Sequence, residues 1–160
     1  MFSLLDALAV AASVANGLLA GLFLAFACAV APGLRHVDDA VYVQAFRSIN
    51  RVILNGWFLL VFFAAPLTAT AHALLETWQT DETPPVSAWT GAVCSVLTFA
   101  MTVTRNVPLN TQLDRAAVST ASEQHAARGR FEERWNWWNL ARTMTSISAL
   151  LSLVTASVLA

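Results

Sequence analysis

Lysine is absent from this chain: all nine basic residues are arginines, and they fall in only two stretches, Arg35 to Arg51 and Arg105 to Arg142. Charge of either sign is scarce, at 12% of residues, while 57% are hydrophobic. That balance excludes an ordinary soluble domain, for which roughly 45–50% apolar content is usual. With a net charge of −1 there is no broad basic surface, and nucleic acid is not an expected partner. Cysteine is nearly missing too. Cys28 and Cys94 stand neither in a CxxC pair nor beside a histidine, so they give no metal signal. Their expected depths are too different for a disulfide, and both read as small buried residues. Of three histidines, only His72 lies inside an apolar run, which leaves a bis-histidine haem unsupported.

What the sequence does hold is long apolar runs. They cover about Leu4–Leu34, Val52–Leu75, Val86–Thr104 and Leu140–Leu159, each near or above the roughly 20 residues that cross a bilayer. The first carries only Asp6 and Asn16 as strongly polar residues and is long enough to tilt or project. It lacks a basic leading segment, and its length argues against a cleaved secretory signal despite the small residues at Ala27-Cys28-Ala29. The expected fold is all-α: one integral membrane domain over residues 1–160, a four-helix transmembrane bundle with amphipathic interfacial helices in the two cytoplasmic loops.

Arginine orients the loops, because positive charge stays on the cytoplasmic side. Loops one and three are therefore expected inside. The middle loop, Thr77 to Pro85, has Asp81, Glu82 and Pro84-Pro85 and no arginine, and is expected outside with both termini. The lipid bilayer is the first partner, and a bacterial inner (cell) membrane the expected location.

In span one, Ser13, Gly17, Gly21 and Ala25 recur every four residues, a stripe suited to close helix approach. Pro66 should kink span two. Trp78, Trp89, Trp135, Trp137 and Trp138 suit the membrane interfaces. Between Asp38 and Asn50, the positions of Val41, Ala45 and Ile49 opposite Arg47 predict a short interfacial helix. Leu113 to Trp138 is a longer polar segment expected to be helical in part.

The informative residues are polar groups where the inner loops meet the bilayer: Asn50, Arg51, Asn55 and Trp57; Arg105, Asn106 and Asn110; Asn139 and Arg142. Amides and guanidinium groups at this depth are costly unless paired. Spacings of four and three put Trp135, Asn139 and Arg142 on one helical face, and a continuous helix would do the same for Arg51 and Asn55. Two readings stay open. The groups bond one another and anchor the helices, or they line a cytoplasm-facing pocket of donors suited to an oxyanion. His36, on the same side, is a candidate general base. His72 and His125 read as interfacial and surface residues. There is also a faint internal echo, in which Pro32 and Pro108 each follow a span and precede an amphipathic segment and an Asn/Arg-bearing helix; two halves packed about an axis along the membrane normal would produce it.

Ala20-Gly21-Leu22-Phe23-Leu24-Ala25-Phe26, Ser48-Ile49-Asn50 with Asn55 and Phe58, Asn106-Val107-Pro108-Leu109-Asn110, and Trp135 with Trp138-Asn139 and Arg142-Thr143 together resemble the DUF1772, or anthrone oxygenase-like, family of small four-span membrane proteins. The resemblance covers essentially the whole chain. It implies oxygenation of an anthrone-type, polyketide-like phenolic substrate to a quinone, with O2 as co-substrate and no cofactor. In that picture Arg142, Asn139 and His36 are catalytic, and Asn50, Arg51, Asn55, Trp57, Asn106, Asn110, Trp135 and Trp138 bind substrate. The chain departs from the pattern at Leu140, where many members have histidine, and at Gly56, where many have proline. A different class of function, a non-enzymatic membrane module holding a lipid, quinone or protein partner, uses the same face. A resting pocket too narrow for three fused rings, or open sideways to lipid, would favour it.

Overall fold

The computed structural model describes residues 3–79 and 86–159, and the charged part of the middle connection, Asp81 to Pro85, lies outside them. Five helices account for nearly all described residues: α1 (Leu4–Leu34), α2 (Asp39–Ile53), α3 (Gly56–Gln79), α4 (Val86–Arg115) and α5 (Ala121–Leu159). Four of them, all but α2, are long and apolar enough to cross a membrane. The protein is an integral membrane four-helix bundle. In it α1 packs on α3 and α5, and α4 packs on the same two, so α1 and α4 face each other across a diagonal.

Two helices run beyond the spans that hydropathy outlines. The third continues to Arg115, and the fourth begins at Ala121 rather than Leu140. At about 1.5 Å per residue, α5 is nearly 60 Å long, twice the hydrocarbon thickness. Its start is fixed by a reciprocal cap, with Thr120 Oγ1 accepting from the Glu123 amide and Glu123 accepting from the Ser119 and Thr120 amides. The extension packs with α2 and the Phe26 turn of α1 into a cap of aromatic residues. Tyr42, Phe46, Phe131, Trp135 and Phe26 form its core, with the Phe46 ring 5.0 Å from Phe131 and 5.1 Å from Trp135.

The amphipathic helix α2 is present, but its buried face is Tyr42, Val43 and Phe46. Val41 is exposed and Ala45 and Ile49 half-buried, because α2 turns towards protein rather than lipid. The small-residue stripe of α1 is likewise displaced. Gly17 sits against Leu150, but Gly21 has open space beside it, and the buried face is Ala9, Ala12, Ala15, Asn16, Leu19, Ala20 and Phe23. The glycine that close approach demands is Gly91, where a Cβ would lie 2.7 Å from Leu153 Cγ. Asn16 ties α1 to the Pro66-bearing turn of α3, donating to the Ala65 carbonyl. His72 is buried, with Nδ1 3.7 Å from Glu76 Oε2, rather than interfacial. Cys28 is exposed on α1.

The internal echo takes physical form here. Both diagonal helices contain a π-helical turn, Phe26–Val30 and Thr102–Asn106, and each is followed two residues later by a proline, Pro32 and Pro108. A proline has no amide and crowds the carbonyl four residues before it, which a widened turn relieves. The helices that follow share a pattern at spacings of four, Tyr42-Phe46-Asn50 and Phe131-Trp135-Asn139. Reciprocal arginines close the arrangement. Arg128 of α5 donates to the Leu34, Arg35 and Val37 carbonyls at the end of α1, and Arg47 of α2 donates to Leu113 and Ala116 at the end of α4. Arg128 also pairs with Asp39 and Glu132 and lies over the Tyr42 ring. The contact with His125, and then that with Arg128, hold the Asp39 carboxyl below its usual range.

Candidate functional site

Where the aromatic cap meets the spans, a cavity of about 60 Å³ lies between α1, the end of α2, the start of α3, α4 and α5. Asn139 and Arg142 reach it from consecutive turns of α5. Asn139 Nδ2 donates to the Phe23 carbonyl at 3.1 Å, just before the first π-helical turn, and its Oδ1 accepts from Arg142 Nη2 at 3.0 Å. The Arg142 side chain is only 5% exposed. Its guanidinium lies 4.3 Å from the Phe23 ring centroid and 5.5 Å from that of Trp135, cation–π contacts that offset part of its desolvation. A long contact of 3.5 Å reaches Thr102 Oγ1. Among the described residues no carboxylate pairs with Arg142, and its Nε–H has no protein acceptor.

From α4, the second π-helical turn brings Thr102 and Asn106 to the cavity. Asn106 is 1% exposed, and neither its Nδ2 nor its Oδ1 has a protein partner. One turn on, Asn110 accepts from the Trp135 indole at 2.8 Å, which fixes the ring as a wall. Asn50 enters from the last turn of α2, its Nδ2 buried without a partner. Leu22, Phe26, Ile49 and Phe58 supply apolar lining.

Six of the residues singled out from sequence thus meet at one cavity: Asn50, Asn106, Asn110, Trp135, Asn139 and Arg142. The others lie elsewhere. Arg51 points outward to Asp114 at 3.3 Å. It shares no helical face with Asn55, because the helix breaks at Leu54. Asn55 caps α3, accepting from the Phe58 amide. Trp57 is 81% exposed, as expected of an interfacial anchor rather than a pocket wall. Trp138 packs on Trp137 and under the Arg105 guanidinium. His36 is exposed on the turn after α1 and does not line the cavity, so it is not placed to act as a base there. Trp135 is buried rather than part of an aromatic belt. Leu140, where the resemblance implies a histidine in many members, is 53% exposed and absent from the lining. Phe23 and Thr102 were not singled out as site residues. Thr98, Thr102 and Asn106, spaced by four within an apolar span, were the available signal.

Beside the cavity lies a groove of about 300 Å³ at the break between α2 and α3. Asn50, Ile53, Leu54, Val107 and Asn110 line both spaces, so this thin wall alone divides them. Arg51, Asp114 and Arg115 form the groove's charged rim. Among the described residues, no three His, Cys, Asp or Glu side chains converge as a metal site would need.

The family model for anthrone oxygenases matches residues 42–152, from α2 to within α5. The chain belongs to the anthrone oxygenase family. Every cavity residue from α2 to α5 lies within the matched segment, while Leu22, Phe23 and Phe26 precede it. No curated protein and no solved structure matches the chain.

Proposed function

We propose that this protein binds a flat, weakly acidic aromatic molecule of the anthrone type and promotes its oxygenation by O2 at the arginine-rich, cytoplasm-facing end of the bundle. The observation that carries this reading is Arg142, a buried guanidinium with no carboxylate partner among the described residues, facing a cavity with unpartnered amide groups. A cation kept in so dry a place calls for an anion, and intramembrane ionisable groups mark function.

In the reaction the activated ring CH2 loses a proton, giving an anion whose charge rests largely on the carbonyl oxygen. That carbanion forms a C–O bond with O2; the resulting peroxide anion takes a proton back from solvent, and the hydroperoxide so formed loses water and leaves a second C=O. One anthrone and one O2 thus give one quinone and one water. The cavity lining contains no carboxylate and no imidazole. Its contribution is therefore to stabilise the oxyanion through Arg142 and the amides rather than to abstract the proton, which passes to solvent. Each 1.4 kcal/mol of such stabilisation lowers the bound ligand's pKa by about one unit. The family membership supports the reaction class, and the fused rings would lie between Phe23, Phe26 and Trp135.

One observation favours a second reading, a non-enzymatic binder of lipid or quinone. The cavity, at 60 Å³, falls below the roughly 300–1,000 Å³ of ordinary ligand sites. A three-ring ligand requires the Ile53–Leu54 wall to yield so that cavity and groove join. The deciding experiment measures O2 uptake and quinone formation from a hydroxylated anthrone by protein in detergent, with and without chelator, against Arg142→Met. Chelator-resistant turnover lost in the variant supports oxygenation. A rate no higher than spontaneous oxidation sinks it and leaves the binder.

A further inference from the structure

Among the described residues, the fully buried side-chain atoms of the cavity lining that have no protein partner are unequal in kind. Three are donors: Arg142 Nε–H, Asn106 Nδ2 and Asn50 Nδ2. One is an acceptor, Asn106 Oδ1. The neighbouring polar groups are already committed: Asn139 bridges the Phe23 carbonyl and Arg142, and Asn110 Oδ1 holds the Trp135 indole. A ligand that leaves any of the open groups dry and unpaired loses the full desolvation cost of that group.

We infer that Asn106 is the specificity-determining residue of the site, and that it selects a ligand carrying a hydroxyl donor beside its anionic oxygen. The donors at Arg142, Asn50 and Asn106 take the oxyanion and a neighbouring lone pair. The fully buried acceptor, Asn106 Oδ1, takes the hydroxyl hydrogen. A phenolate or enolate with no adjacent hydroxyl leaves that acceptor buried and empty, whereas one with the hydroxyl fills all four positions. The π-helical turn is what makes this possible. It ends at Asn106, one residue before the Val107 amide bonds back to the Thr102 carbonyl, and sets this amide side by side with Thr102 in the lining. The inference rests on the proposal that the cavity takes an oxyanion, and not on the oxidation that follows.

The test is a pair of anaerobic titrations of the full chain in detergent, followed by tryptophan quenching. One ligand is an anthrone with a hydroxyl peri to its carbonyl; the other is its O-methyl ether, which keeps the oxygen and loses the donor. Wild type is expected to bind the hydroxyl compound roughly tenfold more tightly, the weight of one hydrogen bond. Asn106→Leu, similar in shape and lacking both polar atoms, is expected to bring the two affinities within about twofold. Asn106→Ala, which also removes both polar atoms, serves if the leucine variant does not fold. Equal affinities in wild type, or a preference that survives in both variants, overturn the inference, as does failure of the hydroxyl compound to bind. Admitting O2 afterwards separates the two claims. Preference without oxygen uptake leaves the inference standing and removes the oxygenase, while equal, rapid oxidation of both compounds does the reverse.

Discussion

At the end of the bundle bearing the middle connection, the spans meet through their smallest residues: Ala12 from α1, Ala69 and Ala73 from α3, Ala88 and Ala92 from α4, and Ala156 beside Leu153 from α5. At the arginine-rich end the same four helices meet through aromatic rings and buried amides. Alanine lets backbones approach until there is no room for a ligand, and in lipid such van der Waals contact is the main source of helix association. Aromatic rings hold helices apart, and the space between them is lined by whatever the spacers do not cover. One end is thus a clamp and the other a vessel; Arg142 and the unpartnered amides belong to the vessel, while the clamp end buries His72.

This contrast can be broken from either side. Phe46→Ala is expected to have the largest effect, because the ring packs on Tyr42, Phe131 and Trp135. Its removal should cost about 3–5 kcal/mol and loosen Trp135, which would show as a lower melting temperature in detergent and a shifted tryptophan emission. Next comes Arg142→Met, which touches function alone. Losing the central oxyanion donor should lower turnover of a hydroxylated anthrone by about 10²–10³-fold, while the melting temperature holds or rises because a buried charge has gone. At the clamp, Gly91→Ala puts a Cβ against Leu153 and should cost about 1–3 kcal/mol. Ligand affinity at the other end should not change. The smallest effect is a gain. Gly56 opens α3 directly after its Asn55 cap, and no described glycine has positive φ, so Gly56→Pro should add about 0.4–1 kcal/mol, read as a small rise in melting temperature.

The four spans that build the clamp were legible in the sequence, since apolar runs of this length have few other uses, but the alanines and Gly91 through which they meet were not, because the small-residue stripe of α1 lies off its buried face. The vessel was legible in part. Asn50, Asn106, Asn110, Asn139 and Arg142 stood out because amide and guanidinium groups are expensive near the bilayer core. Arg51 stood out for the same reason and Trp138 through the family resemblance, yet adjacent helical residues point about 100° apart, so only one of each neighbouring pair reaches the cavity. The break at Leu54 separated Arg51 from Asn55 in a way periodicity cannot register. The cap was missed because hydropathy sees only lipid-facing segments. The part of α5 before Leu140 is a polar helix with a buried aromatic edge, and its one clear announcement was the Thr120–Glu123 capping pair.

The central claim is that a buried guanidinium holds an oxyanion, and the most direct measurement is the acidity of a bound ligand. A hydroxylated anthrone would be titrated spectrophotometrically, without oxygen, in the presence of saturating protein. The account predicts that wild type lowers the ligand's apparent pKa by at least about one unit and that Arg142→Met returns it to the free value. A ligand that binds with its pKa unchanged, or shifted equally by both proteins, would contradict it.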